Sequence, residues 1–307
     1  MKATATVIVT YNAMQWIDAC LASVVETLII VIDNNSKDNT VSHIKSKYPA
    51  VCLFPQGKNL GFGAGNNLGI KYALEQGAEH ILLLNQDAKM HANSLSGLVS
   101  FQKKNNQYGL LSPIHLDWSG EFLEASFSRY VAYKHNSSFY SDFVLGKHLK
   151  DVYDVPMVAA ACWLLSKKAL LKVGGFDPLF FHLGEDVNLC QRLLFHKIKI
   201  GVIPNTYVNH DTKERVNKKI VRYSKEYINH NNYWSKAKYA DVNINEPLAK
   251  MEYHKKQLIK KTLTYFLTLK FKLAKGAYKE YKDFNMTIPK ALKSIDNNRK
   301  EGPHYIK

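Results

Sequence analysis

The sequence contains no apolar run long enough to cross a lipid bilayer. Its longest apolar runs cover residues 28–32 and 155–165, whereas a transmembrane helix needs about 20 predominantly apolar residues. A strand-like pattern begins at Ala5, so we expect no secretory signal peptide. These features favour a protein that works in the cytoplasm.

Cysteine is also scarce. The four cysteines are Cys20, Cys52, Cys162 and Cys190. Their spacing matches neither a metal-binding motif nor a disulfide framework. Reduced, unpaired cysteines are typical of cytoplasmic proteins, so the cysteine pattern favours the same compartment.

A dinucleotide-binding fingerprint is missing from the first half. Gly61, Gly63 and Gly65 have the spacing G-x-G-x-G, whereas the fingerprint is G-x-G-x-x-G directly after the first strand. Residues 11–14 (YNAM) follow that strand instead of a basic, glycine-rich phosphate loop. This disfavours a nucleotidyltransferase, which remains one alternative for the activity.

The first 112 residues alternate between strand patterns and helix patterns. Strands are predicted at residues 5–10, 28–32, 51–54 and 81–84, and helices at residues 15–26, 40–48 and 66–76. Continuous apolar strands separated by helices are typical of a parallel sheet that is covered on both faces. The sequence therefore predicts an α/β fold.

The pattern becomes less regular after residue 112. Residues 117–150 are rich in aromatic and polar side chains, which indicates a flexible or substrate-facing region. Strand-like runs return at residues 155–166 and 198–203, and residues 189–195 have a helical pattern. From about residue 215 the chain is basic and predicted to be mainly helical, so we treat residues 215–307 as a C-terminal extension.

Three predicted strands of the first half end in polar residues. Thr10 and Tyr11 follow the first strand, Asp33 ends the second, and Asn85 and Asp87 follow the fourth. Polar strand ends that meet at one edge of an open α/β sheet are typical of a nucleotide-binding crevice. An alternative for Asp87 is a cap on a helix over residues 88–98, and an alternative for Asp33 is an Asx-turn.

A second acidic cluster lies about a hundred residues later. Asp177 is followed by the adjacent pair Glu185 and Asp186, and Arg192 stands on the helix behind them. One carboxylate of the pair suits a general base, although an acidic first turn of a helix is an equally ordinary explanation. His210 suits a metal ligand or a structural histidine.

The order of these motifs resembles that of family-two inverting glycosyltransferases with the GT-A fold, most closely the bacterial rhamnosyltransferase-like branch. The resemblance covers roughly residues 4–211. It rests on residues 7–12 (VIVTYN), 31–36 (VIDNNS), 59–69 (NLGFGAGNNLG), 82–87 (LLLNQD) and 174–177 (GGFD), and on Glu185-Asp186, Arg192 and His210. It implies a mostly parallel, mixed sheet flanked by helices. The catalytic domain would span residues 1–214, with a nucleotide-sugar half (1–112) and an acceptor half (113–214).

The resemblance implies roles for the donor-side residues. Thr10, Tyr11 and Asp33 would bind the base and ribose of a UDP- or dTDP-linked sugar. The other donor-side candidates are Asn67, which flanks the nucleotide, Asn85, whose neutral amide suits a ribose hydroxyl, and Trp163, which would wall the sugar pocket or else lie in the core. Asp87, with His210, would hold Mg²⁺ or Mn²⁺ at the diphosphate. Asn85 stands where relatives have a first acidic residue, so metal dependence is expected to be weaker.

The resemblance also implies roles on the acceptor side. Asp186 would act as the catalytic base and Glu185 would position the acceptor or the base. Asp177 and Arg192 would belong to the acceptor-side wall. The implied reaction is transfer of rhamnose or another hexose to a lipid-linked saccharide, as in bacterial surface polysaccharide synthesis. A nucleotide-sugar-binding protein without activity is the non-enzyme alternative.

The C-terminal extension carries most of the positive charge. From residue 248 onward there are 14 Lys and one Arg against five acidic residues, so +10 of the formal net charge of +16 lies there. Apolar residues recur at helical spacing over residues 259–284, which predicts a basic amphipathic helix. We expect it to bind the anionic inner face of the cell membrane, with packing on the catalytic domain or a homodimer as alternatives. No nucleic-acid-binding motif accompanies the charge.

Overall fold

The computed structural model describes residues 3–212 and 220–306. Within these residues the chain forms nine strands, all in one sheet, and eleven helices. The strands are β1 (Thr4–Thr10), β2 (Leu28–Asp33), β3 (Cys52–Pro55), β4 (His80–Leu84), β5 (Ala88–Met90), β6 (Tyr108–Leu116), β7 (Tyr153–Asp154), β8 (Cys162–Ser166) and β9 (Lys199–His210). The helices are α1 (Ile17–Ala22), α2 (Thr40–Lys47), α3 (Phe62–Glu75), α4 (Ser94–Lys104), α5 (Ala125–Val131), α6 (Ser137–Val144), α7 (Lys167–Val173), α8 (Glu185–Phe195), α9 (Lys225–Tyr239), α10 (Pro247–Leu267) and α11 (Phe271–Asn298).

The first four strands form a parallel sheet in the order β3-β2-β1-β4, which confirms the prediction for this half. Thr10 at the end of β1 lies beside Asp33 at the end of β2. On the other side, Val7 of β1 lies beside Leu83 near the end of β4. The carboxyl ends of all three strands therefore meet at one edge of the sheet.

Glycines allow α3 to pack closely on β1. A Cβ atom at Gly69 would collide with Val7, and one at Gly65 would come within 3.0 Å of Val9 Cγ1. Because Gly65 and Gly69 are four residues apart, they lie on the same face of the helix. The glycine-rich segment that is not a dinucleotide fingerprint thus places the start of α3 against the carboxyl end of β1.

The second half adds strands of both directions, which makes the sheet mixed. β8 is antiparallel to β4 and β6, whereas β6 and β9 are parallel to each other. The predicted strand over residues 155–166 is wrong in its first half, since only Cys162–Ser166 pairs in the sheet. The helix considered over residues 88–98 is also wrong: β5 occupies its start because Ala88 pairs with His210 of β9, and α4 begins only at Ser94.

Two short helices, α5 and α6, occupy the segment predicted to be irregular. Glu124 caps α5, because its side chain accepts hydrogen bonds from the backbone N–H groups of Ser126 and Phe127. Asn136 caps α6 by accepting from the N–H of Phe139. Side-chain capping of this kind satisfies the backbone donors of a helix start, and it explains how a polar segment forms ordered helices here.

The C-terminal extension packs on the catalytic domain instead of standing apart. Phe180, in the loop before α8, shares a buried cluster with Ala237 of α9, Met251 of α10, and Phe284 and Ile288 of α11. The predicted boundary between residues 214 and 215 lies outside the described residues. The packing alternative for the extension is therefore present in the structure.

The single amphipathic helix predicted over residues 259–284 is wrong. Helix α10 ends at Leu267, and α11 begins at Phe271 and runs back along it as a helical hairpin. Leu269 in the turn has φ of +55°, and the N–H of Lys270 donates to the carbonyl of Tyr265. A left-handed residue of this kind closes a helix C-terminus, although no glycine marks the turn in the sequence.

None of the helices within residues 3–212 and 220–306 combines the length and the apolar character that crossing a membrane requires.

Candidate active site

A cavity of about 430 Å³ opens at the carboxyl edge of the parallel strands. It is lined by residues at the ends of β1, β2 and β4, by the start of α3, and by two segments from later in the chain. The lining residues are Val9, Thr10, Tyr11, Asn34, Asn59, Gly61, Phe62, Asn85, Gln86, Asp87, Phe181, His182 and Tyr233. The structure thus brings together the three polar strand ends that the sequence singled out.

Tyr11 and Gln86 tie the ends of β1 and β4 together. The N–H of Tyr11 donates to Oε1 of Gln86 at 2.7 Å, and Nε2 of Gln86 donates to the carbonyl of Tyr11 at 3.2 Å. The ring of Tyr11 is about half exposed in the cavity. The backbone of Tyr11 occupies the amide of Gln86. The cavity-lining side chains that follow these two strands and can reach a bound molecule are therefore Tyr11, Asn85 and Asp87.

Asp33 supports the cavity from below and does not line it. It is 1% exposed, and its carboxylate accepts hydrogen bonds from Oγ1 of Thr10 at 2.9 Å, from the N–H of Ser36 at 2.9 Å, and from the Ser36 hydroxyl. The Asx-type turn considered from the sequence is therefore present. Asp33 positions Thr10 and the loop after β2, and Asn34 is the residue of this strand end that reaches the cavity.

Asp87 and His210 lie side by side although 123 positions separate them. Oδ1 of Asp87 is 3.4 Å from Nε2 of His210, because β5 pairs antiparallel with β9 and sets Ala88 opposite His210. The N–H of Asp211 also donates to the carbonyl of Asp87 at 2.8 Å. His210 is buried, whereas Asp87 is partly exposed to the cavity.

Two further residues, His115 and Glu124, stand behind His210. One potential ligand atom from each of the three residues lies within 4.8 Å of the others, and all three side chains are buried. Burial, with the nearby His210 as a smaller cause, lowers the pKa of His115 to about 3, so this imidazole is neutral. Sequence reasoning missed both residues. The usable signal was a histidine inside the apolar strand β6.

Glu185 and Asp186 form the first turn of α8, after Gly184 with φ of +89°. Burial raises the pKa of Glu185 to about 7, and its Oε2 has no hydrogen-bond partner among residues 3–212 and 220–306. Burial also raises the pKa of Asp186, while N–H groups of Val187, Asp186 and Ala160 act against that rise. Val187 donates to Oδ1 of Asp186 at 2.8 Å. A raised pKa makes a carboxylate a stronger proton acceptor, which is the property that a general base needs.

Asn67 and Trp163 do not line the cavity. The side chain of Asn67 bonds both backbone groups of Phe176, donating to its carbonyl at 2.8 Å and accepting from its N–H at 2.7 Å. Trp163 is fully buried and stacks on the ring of Phe176, with centroids 6.1 Å apart. The sugar-wall role expected for Trp163 is corrected to a core role, because β8 lies in the middle of the sheet.

Asp177 and Arg192 belong to the seam between the catalytic domain and the extension. Oδ2 of Asp177 accepts hydrogen bonds from Ser294 at 2.6 Å, Asn298 at 2.7 Å and Tyr305 at 3.1 Å. Arg192 is fully buried and donates to the carbonyls of Val173, at 2.7 Å, and Gly175. The acceptor-wall role expected for both residues is corrected to a structural one.

Three of the lining residues lie outside all the motifs that the sequence singled out. Phe181 and His182 come from the loop before α8, and Tyr233 comes from α9 in the extension. Phe181 is more than half exposed. Its signal in the sequence is an aromatic residue four positions before Glu185, outside any strand or helix pattern. This loop leads into Glu185 and Asp186, which are not themselves among the residues that line the cavity.

Two curated relatives each match a little more than half of the chain. The low-salt glycan biosynthesis hexosyltransferase Agl10 of Haloferax volcanii is 26% identical over 180 residues, 56% of this chain and 55% of the relative. The N-acetylglucosaminyl-diphospho-decaprenol L-rhamnosyltransferase of Mycobacterium tuberculosis is 25% identical over 188 residues, 54% of this chain and 60% of the relative. The chain thus spans little more than half of the length of these relatives.

The fold is similar to that of solved glycosyltransferases. The structure of S. aureus TarS 1-349 in complex with UDP superposes with a TM-score of 0.53 at 15% identity, over 97% of this chain and 89% of that one. This likeness confirms the predicted GT-A arrangement of the sheet and helices. The model of the family described as glycosyl transferase family 2 matches residues 6–174, more than half of the chain. The chain therefore belongs to glycosyl transferase family 2.

Proposed function

We propose that this protein is an inverting glycosyltransferase. It transfers rhamnose or another hexose from a UDP- or dTDP-linked donor to a lipid-linked saccharide in the synthesis of a bacterial surface polysaccharide. The observation that carries the proposal is a cavity lined both by Asp87, which pairs with buried His210, and by Phe181 and His182 of the loop that leads to the acidic pair. The relatives named as a hexosyltransferase and a rhamnosyltransferase support the same reaction class.

The donor side would hold the nucleotide at the strand ends. Tyr11 offers an aromatic face to the base, and Asn85 offers a neutral amide to a hydroxyl. Asn34 holds the loop before α3, since its amide donates to the carbonyl of Gly61 and accepts from the N–H of Leu60. Thr10 is held by Asp33, so it presents a fixed position at the end of β1. Such a preorganised site loses little free energy in ordering its own side chains when a ligand binds.

Asp87 and His210 fit a divalent cation. Their ligand atoms are 3.4 Å apart, close enough for both to bind one ion at the usual distances of about 2.0–2.3 Å. One carboxylate oxygen and one imidazole nitrogen suit Mn²⁺ or Mg²⁺, with the diphosphate and water as further ligands. When bound, the ion would neutralise charge on the departing nucleoside diphosphate.

Asp186 would accept the proton of the acceptor hydroxyl. As that oxygen forms its bond to the anomeric carbon, the bond from this carbon to the diphosphate oxygen breaks and the nucleoside diphosphate leaves. Attack from the face opposite the leaving group inverts the anomeric centre. Glu185, buried beside Asp186, would position the base, and the charge of Asp186 is a smaller cause, after burial, of the raised pKa of Glu185.

The acceptor would be presented at a membrane. The extension carries a net charge of +10 from residue 248 onward, and each lysine near an anionic bilayer contributes about 1 kcal/mol to binding. We therefore propose a peripheral protein on the inner face of the cell membrane. Homodimer formation stays an untested alternative for the surface of the extension.

The Asp186→Asn variant tests the proposed base. Loss of a general base lowers the turnover number by about 10²–10⁴-fold, while the binding of a nucleotide sugar, measured by thermal stabilisation, should remain. The matched control is Asp151→Asn, an exposed aspartate outside the cavity. A folded Asp186→Asn protein with near-normal transfer would remove Asp186 as the base.

Asn85 favours a second candidate, a nucleotide-sugar-binding protein that has lost transfer activity, because an acidic residue is missing at that position. Release of nucleoside diphosphate from a panel of UDP-, dTDP- and GDP-sugars separates the two candidates. A pure binding protein would be stabilised by its ligand but would release none.

A further inference from the structure

A second cavity, of about 590 Å³, lies between the start of α9 and the first half of α11. Its lining is strongly basic, and none of the described residues that form it is acidic. The lining residues are Val221, Arg222, Tyr223, Ser224, Ile228, Lys272, Leu273, Lys275, Gly276, Tyr278, Lys279 and Lys282. We call this cavity the basic groove.

Within the part of the chain that the structure describes, no carboxylate pairs with the lysines of the basic groove. Lys272, Lys275, Lys279 and Lys282 recur every three or four residues, so they share one face of α11. No salt bridge is formed by any of the four within residues 3–212 and 220–306. The nearby carboxylate of Glu280 is already held by Lys261, at 2.9 Å. Unbalanced like charges in one groove attract an anion with several negative charges.

An exposed apolar tip adjoins the basic groove. The turn between α10 and α11 exposes Leu263, Phe266, Leu267, Leu269 and Phe271, and the rings of Phe266 and Phe271 pack edge to face with centroids 5.7 Å apart. We call these five residues the hairpin tip. Residues 253–279 contain eight Lys and no Asp or Glu. The lysines of this segment suit the anionic surface of a bilayer, and the apolar side chains at its centre suit the acyl interior.

Helix α9 connects the basic groove to the cavity at the strand ends, which we call the donor cavity. Ile228 lines the basic groove and Tyr233 lines the donor cavity. The two residues are five positions apart, which is about 8 Å along a helix. A molecule that is anchored in the basic groove can therefore extend into the donor cavity within a short distance.

We propose that the basic groove binds the diphosphate head group of the lipid-linked acceptor, while the hairpin tip enters the bilayer beside the lipid chain. Lys272 and Lys282 are ten residues apart, about 15 Å of helix, which accommodates two successive phosphates. The saccharide that follows the diphosphate would then point along α9 toward Asp186. This inference rests on the proposed function, since it places the acceptor of that reaction.

Vesicle flotation tests the basic groove. Vesicles of phosphatidylcholine that carry either a polyprenyl diphosphate or phosphatidylglycerol, matched in surface charge, are compared for wild type and for Lys275→Gln/Lys279→Gln. We expect the double variant to bind the diphosphate vesicles at least tenfold more weakly and the phosphatidylglycerol vesicles less than threefold more weakly. The control is Lys103→Gln/Lys104→Gln at the exposed end of α4, which should bind like wild type. Equal losses on both vesicles, or none, would overturn the diphosphate site.

Fluorescence quenching tests the hairpin tip. Brominated lipids should quench the added emission of Phe266→Trp in the diphosphate vesicles. The control is Leu171→Trp on α7. This helix follows the end of β8 that pairs with the start of β4, so it lies at the edge of the sheet away from the donor cavity. Equal quenching of the two tryptophans, or none at position 266, would overturn insertion of the tip. Donor hydrolysis in solution needs neither feature, so it reports on the proposed function separately.

Discussion

The donor cavity and the seam with the C-terminal extension both contain carboxylates, but the surroundings of these carboxylates differ. Asp87 faces the cavity beside His210, and Asp186 is partly exposed, with backbone N–H groups as its hydrogen-bond donors. Asp177 is 4% exposed and accepts three side-chain hydrogen bonds from the extension. Its other oxygen accepts from the N–H of Leu179, so both oxygens are held within the fold and Asp177 serves architecture. A carboxylate that faces a cavity, or that only backbone N–H groups hold, is available for chemistry.

The largest stability effect is expected at the seam. Asp177→Ala leaves the hydroxyl of Ser294 and the amide of Asn298 buried without their acceptor, which costs about 2–4 kcal/mol of unfolding free energy. Urea denaturation measures the loss of unfolding free energy. The control is Asp296→Ala, an exposed aspartate on α11, the helix that carries Ser294 and Asn298, and it should change stability by less than about 0.5 kcal/mol. If Asp177→Ala instead kept full stability and lost donor binding, Asp177 would belong to the binding site and its structural role at the seam would be contradicted.

The opposite pattern is expected in the cavity. Asp87→Asn should lower Mn²⁺ affinity by about 10–100-fold in the presence of a nucleoside diphosphate, because it removes one charged ligand. Its unfolding free energy should stay within about 1 kcal/mol of the wild-type value, since Asp87 is partly exposed. Isothermal titration with Mn²⁺ gives the affinity. Unchanged Mn²⁺ binding would separate Asp87 from any metal role.

A pH-dependent stability is expected from Glu185. Its pKa of about 7 in the folded protein lies above the ordinary value of 4.5, so the folded state favours the protonated form. That contribution is fully present below about pH 4.5 and is lost as the pH rises through 7, by up to roughly 3 kcal/mol. Denaturation of wild type and Glu185→Gln at pH 5 and pH 8 measures it. The variant should lose less stability over this range, and parallel losses would contradict the burial argument.

The parallel half of the fold was predictable from local patterns. Apolar runs that end in Thr10, Asp33 and Asn85 correspond to β1, β2 and β4, because strands that are buried on both faces must be apolar throughout. The meeting of the strand ends followed from the direction of the strands. The contact between Asp87 and His210 did not, because it depends on the pairing of the three-residue strand β5 with β9.

The acceptor half and the extension were predicted less well for a physical reason. Asp177, Arg192 and Asn67 have the residue types of a binding site, but tertiary contacts from the extension and the loop at Phe176 occupy them. The hairpin turn at Leu269 has no glycine or proline, so helix periodicity alone predicted one helix. Long-range contacts of this kind leave no local mark in a sequence.

The anomeric configuration of the product tests the proposed inverting sugar transfer. Nuclear magnetic resonance of the reaction of a UDP- or dTDP-sugar with a lipid-linked saccharide gives the configuration of the new linkage during a single time course. We expect release of nucleoside diphosphate together with a linkage of the opposite configuration to the donor, and we expect this product to disappear in Asp186→Asn. A linkage that retains the configuration of the donor would contradict inverting transfer.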